Sequence, residues 1–170
     1  MFLAADELAA RVRELGAELA RDYQSLEPML VGSLKASIPF ICDLSRALPI
    51  LHALDFVELA SYGRSNGEHD GIRFLKDLNE EIDGRHVVLV DEVIDTGLTM
   101  NYLVGSLALR NPASLNVATL FDRPYRRLVD DLPVRYVGFT IPDEFFVGYG
   151  FDLDERHRNL PDLRYVRAAA

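Results

Sequence analysis

The chain has 170 residues and a mass of 19.1 kDa, with 49% apolar and 26% charged side chains, which suits one packed domain and excludes disordered, collagenous and low-complexity classes. Eighteen Lys and Arg against 27 Asp and Glu leave a net charge of −9. So acidic a surface repels a polyanion, which argues against nucleic-acid binding, while a few positioned donors or a metal ion can still hold a small anionic substrate.

Residues 6–22 are predicted to form an amphipathic helix. Leu8, Val12, Leu15 and Leu19 recur at spacings that place them on one face, and Asp6 is the expected N-cap. No basic region precedes the short apolar stretch of Met1–Ala5, which speaks against a secretion signal. No apolar run approaches the ~20 residues of a membrane span, so no membrane partner is expected. Pro28 to Gly32 reads as a short buried strand, followed by a helix from about Ser37 to Ala47 that Pro49 stops. The single cysteine, Cys42, lies in an apolar run and is expected to be a buried, inert thiol. With no disulfide possible, a cytoplasmic location is expected.

Ala53 to Ser61 reads as a second strand. Tyr62 to Gly71 then has three glycines and one large apolar side chain, and is expected to be a mobile surface loop, either a lid or an excursion. Val87 to Val90 is β-branched and apolar on both faces, as in a central parallel strand covered on each side. After Asp91 to Gly97 a helix is predicted to about Leu109, with strands at Asn116–Phe121 and Tyr136–Thr140. This alternation predicts an α/β fold with a mostly parallel central sheet flanked by helices. From Ile141 onward an aromatic tail is expected to fold back over the sheet as a small subdomain.

The chemistry concentrates in Val90-Asp91-Glu92-Val93-Ile94-Asp95-Thr96-Gly97-Leu98-Thr99. A buried strand ends in two adjacent carboxylates, and a third precedes Thr-Gly-x-Thr at the start of a helix. Ligands in open α/β sheets bind beyond the carboxyl ends of strands. There Gly97 permits a tight turn, the free amides of the first helical turn favour an anion, and Thr96 and Thr99 add hydroxyl donors. Such a loop suits a monophosphate. Asp91 and Glu92 suit either the vicinal hydroxyls of a sugar or a metal ion. A receiver-like signalling domain would also end a strand in an acidic pair, but it needs another after its first strand, and residues 28–36 supply none.

This string closely resembles the phosphoribosyl pyrophosphate (PRPP) motif of type I phosphoribosyltransferases. Three further blocks are similar to the 6-oxopurine, hypoxanthine-guanine branch of that family. Val31-Gly32-Ser33-Leu34-Lys35-Ala36-Ser37 resembles its pyrophosphate loop, and Ser61-Tyr62-Gly63 the start of its catalytic flexible loop. The segment from Ile141 to Asp152, with Arg158-Asn159-Leu160-Pro161 after it, resembles its purine-binding hood. The blocks cover about residues 28–161. The resemblance implies one phosphoribosyltransferase domain over 1–170, with a core of about 25–140 and a hood from 141 near the N-terminal helix.

It also implies roles. Thr96, Gly97 and Thr99, with the backbone of Asp95 and Leu98, would bind the 5-phosphate, and Asp91 and Glu92 the ribose hydroxyls, partly through magnesium. Asp95 would be the general base or hydrogen-bond partner at purine N7. Lys35 would bind pyrophosphate after a non-proline cis peptide, with Arg158 also on pyrophosphate. Phe145 would stack on the purine, the main chain of Phe146 would read its exocyclic edge, and Asp152 would help hold a second magnesium. Arg123 stands where the family's purine-O6 lysine is found. PRPP and a 6-oxopurine base are the implied substrates, IMP or GMP the product, magnesium the cofactor, and a homodimer or homotetramer the assembly.

Lys35 in an apolar surround reads as a buried cation wanting an anionic partner. Two further departures from the family pattern stand out. Ala36 replaces a common glycine, which disfavours positive φ there, and Leu98 replaces a common lysine. His52, His69, His86 and His157 show no metal spacing. A non-catalytic regulator on the same fold is the rival function, disfavoured by the presence of Asp95, Lys35 and Arg158.

Overall fold

The computed structural model describes residues 1–63 and 69–166, with the side chains of 61–63, 69 and 70 outside the description. Helices α1 (Ala5–Asp22), α2 (Ile38–Ala47) and α3 (Leu98–Ala108) surround strands β1 (Met29–Ser33), β2 (Ala53–Gly63), β3 (His69–Lys76), β4 (His86–Ile94), β5 (Ser114–Asp122) and β6 (Val134–Thr140). The six strands form one sheet in the order β3-β2-β1-β4-β5-β6. All neighbours pair in parallel except β2 with β3. A second ribbon pairs β7 (Phe146–Val147) with β8 (Arg164–Tyr165).

The period-2 alternation of side chains divides the central strands between two cores. Leu30, Val88, Val90, Ala118 and Leu120 face α1 and α2, and the tail residues Phe146 and Tyr149 join this cluster. Met29, Val31, Val87, Leu89 and Val117 face the other way, onto Met100, Leu103 and Leu107 of α3. Helices on both faces explain why these strands read as continuous apolar runs. The four predicted apolar positions of α1 are at most 2% exposed.

Some expectations change. The N-cap of α1 is Ala4, whose N–H donates to Glu7 Oε2 at 2.8 Å, and Asp6 sits in the first turn. Antiparallel pairing of Leu3 with Leu163 fixes the chain entry, so the helix begins one residue earlier. Tyr62 and Gly63 continue β2, and His69 to Gly71 open β3, with Tyr62 opposite Gly71 and Gly63 opposite His69. Residues 62, 63 and 69–71 of the predicted ten-residue loop are therefore strand, and the sequence concealed the second of the two strands. An edge strand needs only backbone partners, so its side chains carry little apolar signal. The lid expectation for residues 64–68 lies outside the described residues. Cys42 is a free thiol, half-buried rather than fully buried, because one side of α2 borders a surface cleft lined by Ile38, Cys42 and Tyr149. Among the described residues no helix is long and apolar enough to cross a membrane.

Candidate active site

β4 carries Asp91 and Glu92 to the carboxyl edge of the sheet. The chain then turns through Asp95, Thr96 and Gly97 into α3. Gly97 is the N-cap of that helix at φ 80°. A Cβ there would lie 2.7 Å from Val129 and 2.8 Å from Arg127, so both conformation and space demand glycine. Gly97 has no side chain to cap α3, the Leu98 N–H donates to Thr96 Oγ1 at 3.4 Å, and the other first-turn amides are unsatisfied by the helix itself. Asp91, Glu92, Asp95, Thr96, Gly97 and Thr99 line one cavity of about 290 Å³, bounded across the sheet by Ser33 at the end of β1 and by Leu34 and Ala36 beyond it. Leu98 is not among the lining residues and is 49% exposed.

Burial, and then the charge of Glu92, push the Asp91 carboxyl well above the usual carboxylate range. Burial likewise raises Glu92, against the opposing pull of its contact with Asp91 and of Arg158. Two adjacent desolvated carboxylates favour a cation between them, and their all-oxygen donor set suits a hard divalent ion. Among the described residues no three His, Cys, Asp or Glu side chains gather as a metal site. Such an ion would take its remaining ligands from substrate oxygens and water.

A second cavity of about 520 Å³ adjoins the first and shares Ala36, Glu92, Val93 and Asp95 with it. Its other walls include Arg123, Arg126, Glu144, Phe145, Phe146, Phe151, Asp152 and Arg158. Phe145 is 57% exposed and Phe146 only 2%. The Phe145 ring is thus available to a ligand, while Phe146 is packed into the core and paired with Tyr165.

Arg123 is not a surface residue. It is 6% exposed, and its guanidinium lies 5.6 Å from the ring centre of Phe146 and 5.9 Å from that of Phe151. Nη1 donates to Asp95 at 3.1 Å, and Nη2 to the Glu144 carbonyl at 2.9 Å. Both terminal nitrogens of its guanidinium are thus engaged. Nε is buried with no protein partner. Arg126 lies 3.8 Å from the other Asp95 oxygen and 3.1 Å from Asp143, and Arg127 Nε donates to the Asp95 carbonyl at 3.3 Å. Three arginines therefore converge on Asp95. Sequence reasoning assigned a role to Arg123 alone, although the Arg126-Arg127 pair beside it was the available signal.

The Leu34–Lys35 peptide is cis, as the resemblance implied. Lys35 is not buried, however. Its side chain is 59% exposed and pairs with Glu155 at 3.3 Å, because the loop after β1 leaves the sheet before the lysine. Ala36 does not adopt positive φ. Arg158 donates to the Gly150 carbonyl at 2.8 Å and pairs with Asp152 at 2.9 Å and Glu155 at 3.2 Å. Asp152 also accepts the Glu155 amide. Gly150, at φ 103°, lets the hood approach the β1 loop, since a Cβ there would lie 2.1 Å from the Ala36 carbonyl. Ser61 and Tyr62 have no described side chains.

A sheet covered on both faces, with an anion cradle at one strand end and an aromatic cavity beside it, is the layout of an α/β enzyme that handles sugar phosphates or nucleotides. Comparison with known proteins narrows the class. The model of the phosphoribosyl transferase domain matches residues 1–155, and the chain belongs to that family. It is 37% identical to the hypoxanthine-guanine phosphoribosyltransferase of Bacillus subtilis, over 99% of this chain and 93% of that protein. It is 44% identical to the hypoxanthine phosphoribosyltransferase of Salmonella typhimurium, over 91% of this chain and 88% of that protein. A crystal structure of a hypoxanthine-guanine phosphoribosyltransferase from Bacillus anthracis superposes with a TM-score of 0.92 at 38% identity, covering 98% of each chain.

Proposed function

We propose that the protein transfers the 5-phosphoribosyl group of PRPP to N9 of hypoxanthine or guanine, giving IMP or GMP and pyrophosphate in purine salvage. The observation that carries this is the meeting of the two cavities at Asp95. A phosphate cradle on one side and an aromatic wall on the other put a ribose 5-phosphate and a flat base in contact over one carboxylate.

Thr96, Gly97 and Thr99, with the α3 amides, hold the 5-phosphate. Asp91 and Glu92 hold the ribose hydroxyls and would hold a magnesium ion, which would supply neutralisation of the diphosphate charge. Phe145 stacks on the base. Arg123, in the wall of the base cavity, supplies the donor to purine O6, while its Nη1 fixes the orientation of Asp95. N9 attacks the anomeric carbon, the bond from that carbon to the diphosphate oxygen breaks, and its electron pair leaves with pyrophosphate. Asp95 accepts the hydrogen bond or proton at N7 as N9 bonds to the sugar. Lys35 and Arg158 stabilise the departing charge. An assay that mixes protein, PRPP, magnesium and hypoxanthine and follows IMP tests the whole assignment. IMP should form, and excess EDTA should stop it. No IMP would favour a non-catalytic regulator, and full activity in EDTA would remove the metal. Cytoplasmic location and a dimeric or tetrameric assembly belong to the same proposal, and sedimentation tests the latter.

A further inference from the structure

Both oxygens of the Glu155 carboxylate are occupied by cations to which the proposed function gives other work. Oε2 lies 3.3 Å from Lys35 Nζ, and Oε1 lies 3.2 Å from Arg158 Nη2. One cation sits on the loop after β1 and the other on the hood. Glu155 bridges them as two linked phosphate groups would.

We infer that Glu155 competes with the diphosphate end of the substrate for Lys35 and Arg158, and so sets the affinity for PRPP and for released pyrophosphate. This rests on the assignment of those two cations to diphosphate. The local structure fits a competitor rather than a structural bond. The Glu155 side chain is 65% exposed, so no core depends on it. Its backbone position is set by the turn in which its amide donates to Asp152 Oδ2 at 2.8 Å, so the side chain can leave without unfolding the turn. Exposed ion pairs are weak and easily exchanged. A diphosphate carries more charge than one carboxylate and offers more acceptor oxygens, so it displaces Glu155 at a cost in affinity.

The affinity also governs release. A carboxylate that returns to Lys35 and Arg158 as pyrophosphate departs would weaken product inhibition, and any tighter grip on PRPP would carry tighter retention of pyrophosphate with it. Glu155 lines neither cavity, although its partner Arg158 stands in the wall of the purine cavity, so base recognition should not follow Glu155 itself.

The test is titration calorimetry of PRPP with magnesium, and inhibition by inorganic pyrophosphate, on the full chain. Wild type is compared with Glu155→Gln, Lys35→Ala and the double variant. Glu155→Gln should bind PRPP about two- to fivefold more tightly, the range that loss of an exposed competing pair allows. Inhibition by pyrophosphate should strengthen by a similar factor, with the KM for hypoxanthine unchanged. Lys35→Ala should weaken PRPP binding, and the gain from Glu155→Gln should shrink in that background. Unchanged or weaker PRPP binding by Glu155→Gln, with Lys35→Ala still impaired, would overturn the competition while leaving the diphosphate assignment intact. An undiminished gain in the Lys35→Ala background would also overturn it. Wild-type PRPP affinity in Lys35→Ala would instead sink the underlying assignment, and the inference with it.

Discussion

The two sides of the site are built differently. The phosphate side is one contiguous stretch, residues 91–99, shaped by backbone: a strand end, a glycine at φ 80° and a helix start. The base side is assembled from residues far apart. Arg123 reaches 28 positions back to Asp95 and 21 forward to Glu144. A site made of local backbone is robust to side-chain change but intolerant of conformational change. A site made of long-range pairs fails when one partner is lost. Asp95 belongs to both sides, so it should be the most sensitive position of all.

Asp95→Asn tests that directly. Asparagine keeps the shape and can still accept from Arg123 Nη1. It loses the charge that responds as N7 becomes positive, which makes the contact largely a transition-state one. We expect turnover to fall by roughly 10²–10⁴-fold, the range for a positioned acid–base group, with little change in the KM for PRPP. Near-native turnover with a raised PRPP KM would place Asp95 wholly on the phosphate side.

Arg123→Ala breaks only the base side. It leaves Asp95 with Arg126 at 3.8 Å, removes the donor to the Glu144 carbonyl and opens space beside Phe146 and Phe151. Loss of hydrogen bonds to a charged group should cost about 1–3 kcal/mol of stability. Catalytic efficiency with hypoxanthine should fall about 10- to 100-fold, since a donor matched to O6 and the orientation of Asp95 go together. PRPP affinity should stay within a few-fold. An equal loss of PRPP affinity would mean that the two sides are not separable. Arg123→Lys should fall between, because one ammonium cannot serve Asp95, Glu144 and a base at once.

The same contrast explains what could be read from the sequence. The β4–α3 stretch was legible because its information is local: strand periodicity, paired carboxylates and a glycine at a helix start each declare themselves within ten residues. The sheet was legible where strands are covered on both faces, and illegible at β3, an edge strand with a mixed pattern. Phe145 and Arg123 were found by resemblance, but burial of Arg123 between two rings and its grip on Asp95 depend on how the hood closes. The surround of Lys35 misled for the same reason. Its sequence neighbours are apolar, yet the chain leaves the sheet before it, and Glu155 comes from the far end of the molecule.

A position remote from both cavities supplies a control. Asp55, on β2, is 4% exposed and lines neither cavity. Burial would raise its carboxyl, but the amides of Phe56, Asn79 and Glu80 and the Lys76 ammonium outweigh it and hold the group below the usual range. A depressed folded-state pKa stabilises the protein fully above the unfolded value of about 3.9, and the benefit is lost as pH falls through the lower folded value. Asp55→Asn should lose about 1–3 kcal/mol at neutral pH. Urea melts should show the gap to wild type narrowing as the pH is lowered below the ordinary carboxylate range. Kinetic constants should be unchanged. A gap that persists in acid would assign the cost to packing rather than to charge.

The smallest effect should come from Ala36→Gly, which restores the residue common in the resembling family at the seam between the two sides. A glycine matters where φ is positive or where a Cβ has no room. Ala36 does not adopt positive φ, and the close approach at this seam is met from the other strand of the contact, by Gly150, where a Cβ would lie 2.1 Å from the Ala36 carbonyl. Alanine is therefore compatible with the loop, and glycine adds only unfolded-state freedom. We expect a stability loss of about 0.5–1 kcal/mol, with the KM for PRPP and turnover within about twofold of wild type, a change of less than ~0.5 kcal/mol. Gly150→Ala makes the complementary change and should do more harm, because it adds both a strained φ of 103° and a backbone collision. A large rise in PRPP affinity in Ala36→Gly would show that the loop must pass through positive φ when diphosphate binds, so that alanine at this position restrains the phosphate side after all.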